Sequence, residues 1–365
     1  MLFGTMAADG RQDAATSPGR VLVARAPGRV NLVGDHTDYN EGLALPIAVD
    51  LATWVTFTES DADHVELHTS LDPAPASVPL EIVFDPDVLA GVEPPWARLA
   101  AAVVAQARPA RGGVAVVTST VPVGAGLSSS AAFCVALLAA LGFEGTPTLV
   151  ARLVQRAEAA VGADVGLMDP LVSAAGRAGC ALLIDFSTLS IEEVPVPPGA
   201  EVVVVHSGER RQLRLTPYAA RRAECDAAAL ELGYPLGKAE EADLPGFFDP
   251  VLRRRARHVV RECARVRAMA GALSAGDLPT CGRIMVESHR SLAEQFEVST
   301  PAVDALVSSL VARPGVHGAR MTGGGFGGCV VALCEPGALD PNEWPGRAWR
   351  VVPSAGATLR VASAP

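Results

Sequence analysis

Lysine is nearly absent from this 365-residue chain: of its 30 basic residues, 29 are arginine and only Lys238 is lysine. Because Lys238 follows no GxxxxGK pattern, the sequence excludes a phosphate-binding loop of the P-loop type. Any nucleotide phosphate would therefore have to be bound by backbone N–H groups, a helix N-terminus, Mg²⁺ or arginine.

Features of several other protein classes are missing as well. The seven cysteines include no CxxC pair, which argues against a disulfide framework or a thiolate zinc site and favours a reducing cytoplasm. The longest apolar run, residues 131–143, is shorter than the ~20 residues of a membrane span. The net charge of −10 argues against a nucleic-acid partner, which requires a basic face. We therefore expect a cytoplasmic protein, a monomer or weak homo-oligomer, that acts on small molecules.

The apolar share of 49% is enough to build the cores of two domains of ordinary size. Residues 1–19 lack the regions of a secretory signal and are expected to form a frayed N-terminus. Local patterns predict strands at residues 20–26, 43–58, 65–70, 79–84, 113–121, 180–185, 201–206, 318–322, 329–334 and 349–352. They predict helices at residues 96–107, 129–141, 147–161, 218–232, 250–272, 278–296 and 300–312.

Helices laid on one side of a largely antiparallel sheet indicate an α+β fold. The proline-rich residues 194–199 separate two predicted strands and are the predicted domain boundary. We therefore expect an N-terminal domain at residues 20–196 and a C-terminal domain at residues 197–365.

A glycine-serine loop, VPVGAGLSSSAA at residues 121–132, follows a predicted strand and precedes an apolar helix. Small residues allow a ligand to approach the backbone, and a helix N-terminus presents unpaired N–H groups with about half a positive charge. The serine hydroxyls add donors and a candidate Mg²⁺ ligand. The loop suits phosphate binding without lysine, although a plain capped helix after a glycine turn fits the same pattern.

Two further segments carry candidate site residues. The segment APGRVNLVGDHTDYN, residues 26–40, is rich in donors and acceptors and suits a polyhydroxylated ligand, although a solvated loop has a similar composition. The segment RMTGGGFGGCVV, residues 320–331, contains five glycines that permit positive φ and a close approach of the backbone to a ligand or another loop. A glycine-rich turn is common, so the second segment alone is a weak signal.

Together these three segments resemble the GHMP kinase superfamily and, within it, the galactokinase family. Residues 26–48 (APGRVNLVGDHTDYNEGLALPIA) are similar to the galactokinase signature, residues 124–132 (GAGLSSSAA) to the phosphate loop, and residues 320–329 (RMTGGGFGGC) to the third motif. The stretches at residues 166–185, 218–225 and 288–307 are similar as well, in the family's order. The resemblance covers residues 20–335.

The resemblance implies an ATP-dependent sugar kinase that phosphorylates the C1 hydroxyl of galactose, with Mg²⁺ as cofactor. It implies an N-terminal domain like ribosomal protein S5, a C-terminal ferredoxin-like domain, and an active site in the cleft between them. Asp169 would be the general base or orienter beside Arg29, and the sugar would contact Asp35, His36, Asp38 and Tyr218. ATP would be bound by Gly124, Ala125, Gly126, Leu127, Ser128, Ser129, Ser130, Gly323, Gly324 and Gly325, and Mg²⁺ by Ser130 and Glu158.

Three positions depart from the family pattern. Asp35 stands where the family has glutamate, so its reach toward O6 of the sugar would need a bridging water. Pro170 disfavours a helical conformation at Asp169 and favours the first helical position, which predicts Asp169 at or near a helix N-cap. Glu158 lies eleven residues before Asp169 where the family's metal ligand lies twelve before, so it can bind Mg²⁺ only if the helix or the following turn absorbs one residue.

Two alternative functions are compatible with these motifs. One is a different sugar-1-kinase of the same superfamily, acting on N-acetylgalactosamine or arabinose, which a panel of sugars would distinguish. The other is a non-catalytic galactose sensor. Sensors related to the family lose small residues from the serine loop, whereas here the loop and Asp169 are complete, which favours an enzyme.

Overall fold

The computed structural model describes residues 19–163, 165–209 and 217–362. The predicted frayed N-terminus lies, up to residue 18, outside the described residues. The strands are β1 (Val21–Asn31), β2 (Leu43–Ala44), β3 (Pro46–Ser60), β4 (His64–Thr69), β5 (Asp72–Pro79), β6 (Gly112–Ser119), β7 (Cys180–Asp185), β8 (Ser190–Pro195), β9 (Glu201–His206), β10 (Val316–Met321), β11 (Cys329–Cys334), β12 (Ala348–Val351) and β13 (Thr358–Ala362).

The α-helices begin mostly at proline or after a capping residue. They are α1 (Pro86–Ala90), α2 (Ala97–Ala107), α3 (Ser129–Ala140), α4 (Pro147–Ala160), α5 (Met168–Ala175), α6 (Pro217–Leu232), α7 (Pro250–Ser274), α8 (Leu278–Ser291) and α9 (Pro301–Val311). A π-helical turn, Leu292–Phe296, extends α8. Within the described ranges, no helix is long and apolar enough to cross a membrane.

Two sheets organise the molecule. The larger sheet has the order β13-β1-β3-β6-β4-β5 and is antiparallel except for the β4–β6 pair. The second sheet, β10-β11-β9-β12, is antiparallel throughout, and β2-β7-β8 form a small third sheet. Helices pack on both main sheets, so the expected α+β class is confirmed.

The helix α3 fixes the position of the glycine-serine loop that precedes it. Its residues from Ala131 to Ala140 are nearly all buried, and it packs on β1 and β3 of the larger sheet. A helix that is apolar on all faces must be buried in a core. The start of α3, and the loop leading into it, is therefore held by the core of the first sheet.

Most of the predicted elements are confirmed within a few residues, but the strand predicted at residues 79–84 is wrong. The strand in this region is β5, and the residues after Pro79 lead into α1. β5 contains Pro73 and Pro75, which argue against a central strand. It lies at the edge of its sheet, where a proline without an N–H group is tolerated.

The last described strand returns to the first sheet. β13 pairs with β1 through the register Val21↔Ala362 to Arg25↔Thr358. The second sheet begins at β9, shortly after the proline-rich residues. The boundary at residue 196 stays a prediction, and the pairing of β13 places the end of the predicted C-terminal domain on the N-terminal sheet.

Candidate active site

Residues from all three sequence motifs line one cleft. Its walls come from the turn after β1, the glycine-serine loop, the start of α5, and the elements after β9. The lining includes Arg29, Asp35, His36, Asp38, Gly124, Gly126, Ser128, Ser129, Ser130, Glu158, Gly166, Met168, Asp169, Tyr218, Gly323 and Gly324.

Asp169 lies between two groups that orient its carboxylate. The guanidinium of Arg29, on β1, approaches Asp169 Oδ1 to 2.5 Å, and the Ser128 hydroxyl donates to Oδ2 at 2.5 Å. The Arg29 side chain is buried, whereas that of Asp169 is 26% exposed and open to the cleft. A carboxylate with a fixed orientation and access to the cleft can accept a proton from a bound hydroxyl.

The backbone around Asp169 confirms the predicted helix start with one correction. α5 begins at Met168 with Leu167 as its N-cap, so Asp169 is the second helical residue and Pro170 the third. Asp169 therefore adopts a helical conformation despite the proline that follows it. The missing N–H of Pro170 costs no hydrogen bond in the first turn of a helix, and the carboxylate benefits from the positive end of the helix dipole.

The glycine-serine loop adopts the conformation that its small residues allow. Gly124, Gly126 and Ser128 have φ of 75°, 83° and 64°, in the left-handed region. Ser128 is the N-cap of α3 but makes no capping hydrogen bond with its side chain, because that hydroxyl bonds to Asp169. Of the predicted ATP-binding residues in this loop, Ala125 and Leu127 are buried in the core.

Arg29 also connects β1 to this loop. Its guanidinium donates to the carbonyl of Gly126 at 2.8 Å, and its backbone N–H donates to the carbonyl of Leu127 at 3.1 Å. A Cβ on the neighbouring Gly28 would lie 2.6 Å from the Leu127 carbonyl oxygen, so glycine is required for this approach. One arginine thus fixes the distance between Asp169 and the glycine-serine loop.

Glu158 faces the cleft at the end of α4. The family's spacing of twelve residues before Asp169 would instead put the metal ligand at position 157, which is alanine here. The Ser130 hydroxyl donates to Glu158 Oε1 at 2.7 Å, while Ala157 is part of the core. Burial raises the pKa of Glu158 to about 7, although the hydrogen bond from Ser130 opposes the shift. Glu158 Oε2 is buried and has no hydrogen-bond partner. The helix therefore presents residue 158, and not 157, beside Ser130.

Asp38 lies on the other side of Asp169, in the 3₁₀ turn Asp38–Asn40. Its Oδ2 accepts a hydrogen bond from Met168 N at 3.4 Å, and a Cβ on Gly166 would lie only 1.6 Å from that oxygen. Burial and the nearby Asp169 raise the pKa of Asp38 to about 6. Gly166 therefore makes room for a half-buried acceptor next to the catalytic candidate.

Aromatic rings form the wall beyond Asp38. The His36 ring lies 4.5 Å from that of Phe296 and 5.5 Å from that of Tyr218, and its Nδ1 is 2.9 Å from the Tyr39 hydroxyl. His36 itself has a φ of 63°, which is rare for a residue with a side chain. The structure thus brings the predicted residues His36 and Tyr218 together at one end of the cleft.

Asp35 does not direct its carboxylate freely into the cleft. Its Oδ2 lies 2.5 Å from the Arg320 guanidinium, and its Oδ1 accepts from the backbone N–H of Gly323 at 3.0 Å. Both Asp35 and Arg320 are almost completely buried. The contacts of this carboxylate connect the loop after β1 to the third motif. They do not support the expectation that the Asp35 side chain extends toward O6 of a bound sugar.

The glycines of the third motif are required for different reasons at different positions. Gly323 and Gly324 line the cleft, where a Cβ on Gly324 would lie 3.2 Å from the Tyr218 ring. Gly325 has a φ of 82°, and a Cβ there would lie 2.6 Å from Val298. Gly325 is therefore required by packing against Val298 and does not line the cleft.

Two protein-family domains match this chain. The GHMP kinase N-terminal domain matches residues 97–177 and the GHMP kinase C-terminal domain matches residues 269–341. A mevalonate kinase structure, 18% identical, shares the fold with a TM-score of 0.63 over 90% of this chain and 98% of its own. The fold is thus that of a GHMP kinase.

The narrower matches agree with one another. The galactokinase galactose-binding signature matches residues 9–59. Galactokinases of Chloroflexus aggregans and Homo sapiens are 41% and 42% identical over 87% of this chain, covering 85% and 84% of their own lengths. The structure of Lactococcus lactis galactokinase complexed with galactose is 26% identical, with a TM-score of 0.83 over 93% of this chain and 95% of its own. The chain belongs to the galactokinase family, and it is an ATP-dependent sugar kinase.

Sequence reasoning missed two features of this cleft. The hydrogen bond between Ser128 and Asp169 joins residues 41 positions apart, and no local pattern indicates it. The second feature is the packing of Gly166 against Asp38. Gly166 lies just before Met168 and Asp169 in a stretch similar to the family, and a glycine at this position was the signal that could have indicated a close contact.

Proposed function

We propose that this chain transfers the γ-phosphate of ATP to the C1 hydroxyl of galactose and releases galactose 1-phosphate and ADP. The observation that carries this proposal is the position of Asp169. Its carboxylate is held by Arg29 and Ser128 at the junction between the glycine-serine loop and the polar end of the cleft around Asp38. From this position the Asp169 carboxylate could contact a sugar hydroxyl on one side and lie close to the phosphates of a nucleotide on the other.

In the proposed reaction, Asp169 orients the C1 hydroxyl and accepts its proton. The hydroxyl oxygen forms a bond to the γ-phosphorus while the bond from that phosphorus to the bridging β–γ oxygen breaks, and ADP leaves with the bonding electrons. Such transfers have a loose transition state, so positioning and charge neutralisation contribute more than strong basicity. Arg29 is the fixed cation that stabilises both the carboxylate and the developing phosphoryl charge.

The phosphates would be held by the start of α3 and by residues 124–130. The left-handed conformation of Gly124, Gly126 and Ser128 turns the backbone at this helix N-terminus, and helix N-termini bind anions through N–H groups. This arrangement replaces the lysine of a P-loop. Gly323 and Gly324 line the same cleft, and Gly324 lies beside the Tyr218 ring.

Ser130 and Glu158 fit the requirements of Mg²⁺. They provide a hydroxyl and a carboxylate 2.7 Å apart, and the second carboxylate oxygen is buried without a partner. Mg²⁺ prefers oxygen ligands and is commonly bound by one or two protein groups together with substrate phosphates. When bound there, the ion would neutralise phosphate charge.

The sugar would lie against Asp38, His36 and Tyr218. Asp38 is a half-buried acceptor beside Asp169, and a sugar hydroxyl that donates to it would replace a hydrogen bond from water. Asp35 would act through Arg320 and Gly323 rather than by direct contact with the sugar.

The test is an ADP-release assay across galactose, N-acetylgalactosamine, arabinose and glucose. We expect the highest kcat/KM with galactose, and a higher value with another sugar would reject the proposed substrate. Asp169→Asn should lower kcat by about 10²–10⁴-fold, with ATP binding nearly unchanged in a calorimetric titration. Retained turnover in this variant would refute the role of Asp169.

A further inference from the structure

A buried ionic cluster lies outside the three motifs, in the middle of α7. Its centre is Glu262, which is fully buried. Glu262 Oε1 accepts from the backbone N–H of Gly34 at 2.9 Å and from the Ser288 hydroxyl at 2.5 Å. Its Oε2 accepts from Arg265 Nε at 2.7 Å. A carboxylate from the second half of the chain thus binds the backbone at the entrance of the loop that carries Asp35, His36 and Asp38.

That loop has an unfavourable backbone conformation. Gly34 tolerates its φ of 96° because it is glycine, but His36 has a φ of 63°, in the left-handed region that residues with side chains rarely adopt. Such conformations persist only when several contacts enforce them. Three groups from the second half bind this short segment: Glu262 at Gly34, His258 Nε2 at the Asp35 carbonyl (3.1 Å), and Arg320 at the Asp35 carboxylate (2.5 Å).

The charges of the cluster balance as two cations and two anions. Arg320 lies between Asp35 (2.5 Å) and Glu262 (3.8 Å), and Arg265 pairs with Glu262. Burial alone would raise the pKa of Glu262, but the charges of Arg265, of His258 (protonated only in acid) and of Arg320 lower it to about 2. Burial lowers the pKa of His258 to about 4, so this ring is neutral near pH 7. Loss of the Glu262 charge would leave Arg320 with one counter-ion.

We propose that Glu262 is a positioning residue for the sugar-binding loop, which it holds through the Gly34 N–H and through the Arg320–Asp35 pair. By fixing residues 34–36, it places His36 and Asp38 for the sugar without touching the sugar itself. This inference rests on the proposed function, because it assigns Glu262 to the sugar side of the cleft and not to the nucleotide side.

The test is Glu262→Gln, which keeps the shape of the side chain and removes its charge. We expect KM for the sugar to rise about tenfold or more, as for a lost hydrogen bond to a charged group, with KM for ATP within about twofold. Arg265→Gln is the matched control, since Arg265 pairs with the same carboxylate but does not bind the loop. It should lower thermal stability and leave KM for the sugar within about twofold.

An unchanged KM for the sugar in Glu262→Gln, or equal increases in both KM values, would overturn the proposal. If Glu262→Gln does not fold, Ser288→Ala is the deciding variant. It removes the hydrogen bond from Ser288 that helps to hold Glu262 Oε1 in place for the Gly34 N–H. We expect a smaller increase, about two- to fivefold, confined to the sugar KM, and no increase overturns the proposal. The sugar used is the one the wild type phosphorylates best, so rejection of galactose as substrate and rejection of Glu262 are separate results.

Discussion

Asp38→Asn should increase the stability of the ligand-free protein while it weakens sugar binding. The pKa of Asp38 is raised from its ordinary value of 3.8 to about 6, first by burial and then by the charge of Asp169. Between these two pH values the folded protein binds more protons than the unfolded chain. Stability therefore falls as the pH rises through this window, and the full cost of the charged carboxylate is present above about pH 7.

The difference between 3.8 and about 6 corresponds to at most about 3 kcal/mol of unfolding free energy. Asp38 is partly exposed at the cleft, so solvent screening lowers the expected gain to about 1–3 kcal/mol. Asparagine keeps an oxygen that can accept from the Met168 N–H, so the hydrogen bond to α5 survives. The variant removes the charge and little else.

The assay is urea unfolding of the wild type and Asp38→Asn without ligands, at about pH 8 and about pH 4.5, where most of the linkage contribution is lost. We expect a higher unfolding free energy for the variant at the higher pH and a much smaller difference at the lower pH. Galactose titration by calorimetry should show weaker binding by the variant. Equal destabilisation of the variant at both pH values would refute the reasoning.

Two other predictions concern single residues of the cleft. Glu158→Gln should raise the Mg²⁺ concentration required for half-maximal turnover, because the carboxylate charge attracts the ion; an unchanged Mg²⁺ dependence would remove Glu158 from the metal site. Gly166→Ala should raise KM for the sugar far more than KM for ATP. The new Cβ would lie only 1.6 Å from Asp38 Oδ2, so the Asp38 carboxylate would have to move. Gly199→Ala, with nothing within 4 Å of its Cβ, is the matched control, and equal behaviour of the two variants would contradict the prediction.

Helix starts were predictable because their chemistry is local. Thr146 caps α4 through the N–H of Leu149, with Pro147 at the first helical position, as the sequence indicates. Asp249 and Thr300 cap α7 and α9 in the same way. These interactions depend on neighbouring residues only, and the predicted helix starts at residues 147, 250 and 300 lie within one residue of the observed starts.

Strands were less predictable where their formation depends on pairing with other strands of the sheet. β5 contains three prolines and is stable only as an edge strand, and its position at the edge follows from the pairing of all other strands. β13 is exposed along its length and has no strong apolar alternation. It exists because β1 offers a free edge, which is a property of the folded sheet.

The candidate site was predictable as a set of residues and not as a network. Motif resemblance selected Arg29, Asp38 and Asp169, and the structure brings them together. The pairs that orient them join residues far apart in the chain, such as Asp35 with Arg320, 285 positions later. A buried ion pair of this kind reflects tertiary structure, and neither partner carries a local signal for the other.

The most direct test of the central claim is the position of the new phosphate on the product. The protein is incubated with ATP, Mg²⁺ and galactose labelled with ¹³C at C1, and the product is analysed by ³¹P and ¹³C NMR. We predict phosphorus–carbon coupling at the labelled anomeric carbon, together with one ADP for each sugar phosphate. Phosphate on the C6 hydroxyl, or ADP release without a phosphorylated sugar, would contradict the assignment of Asp169 to the C1 hydroxyl.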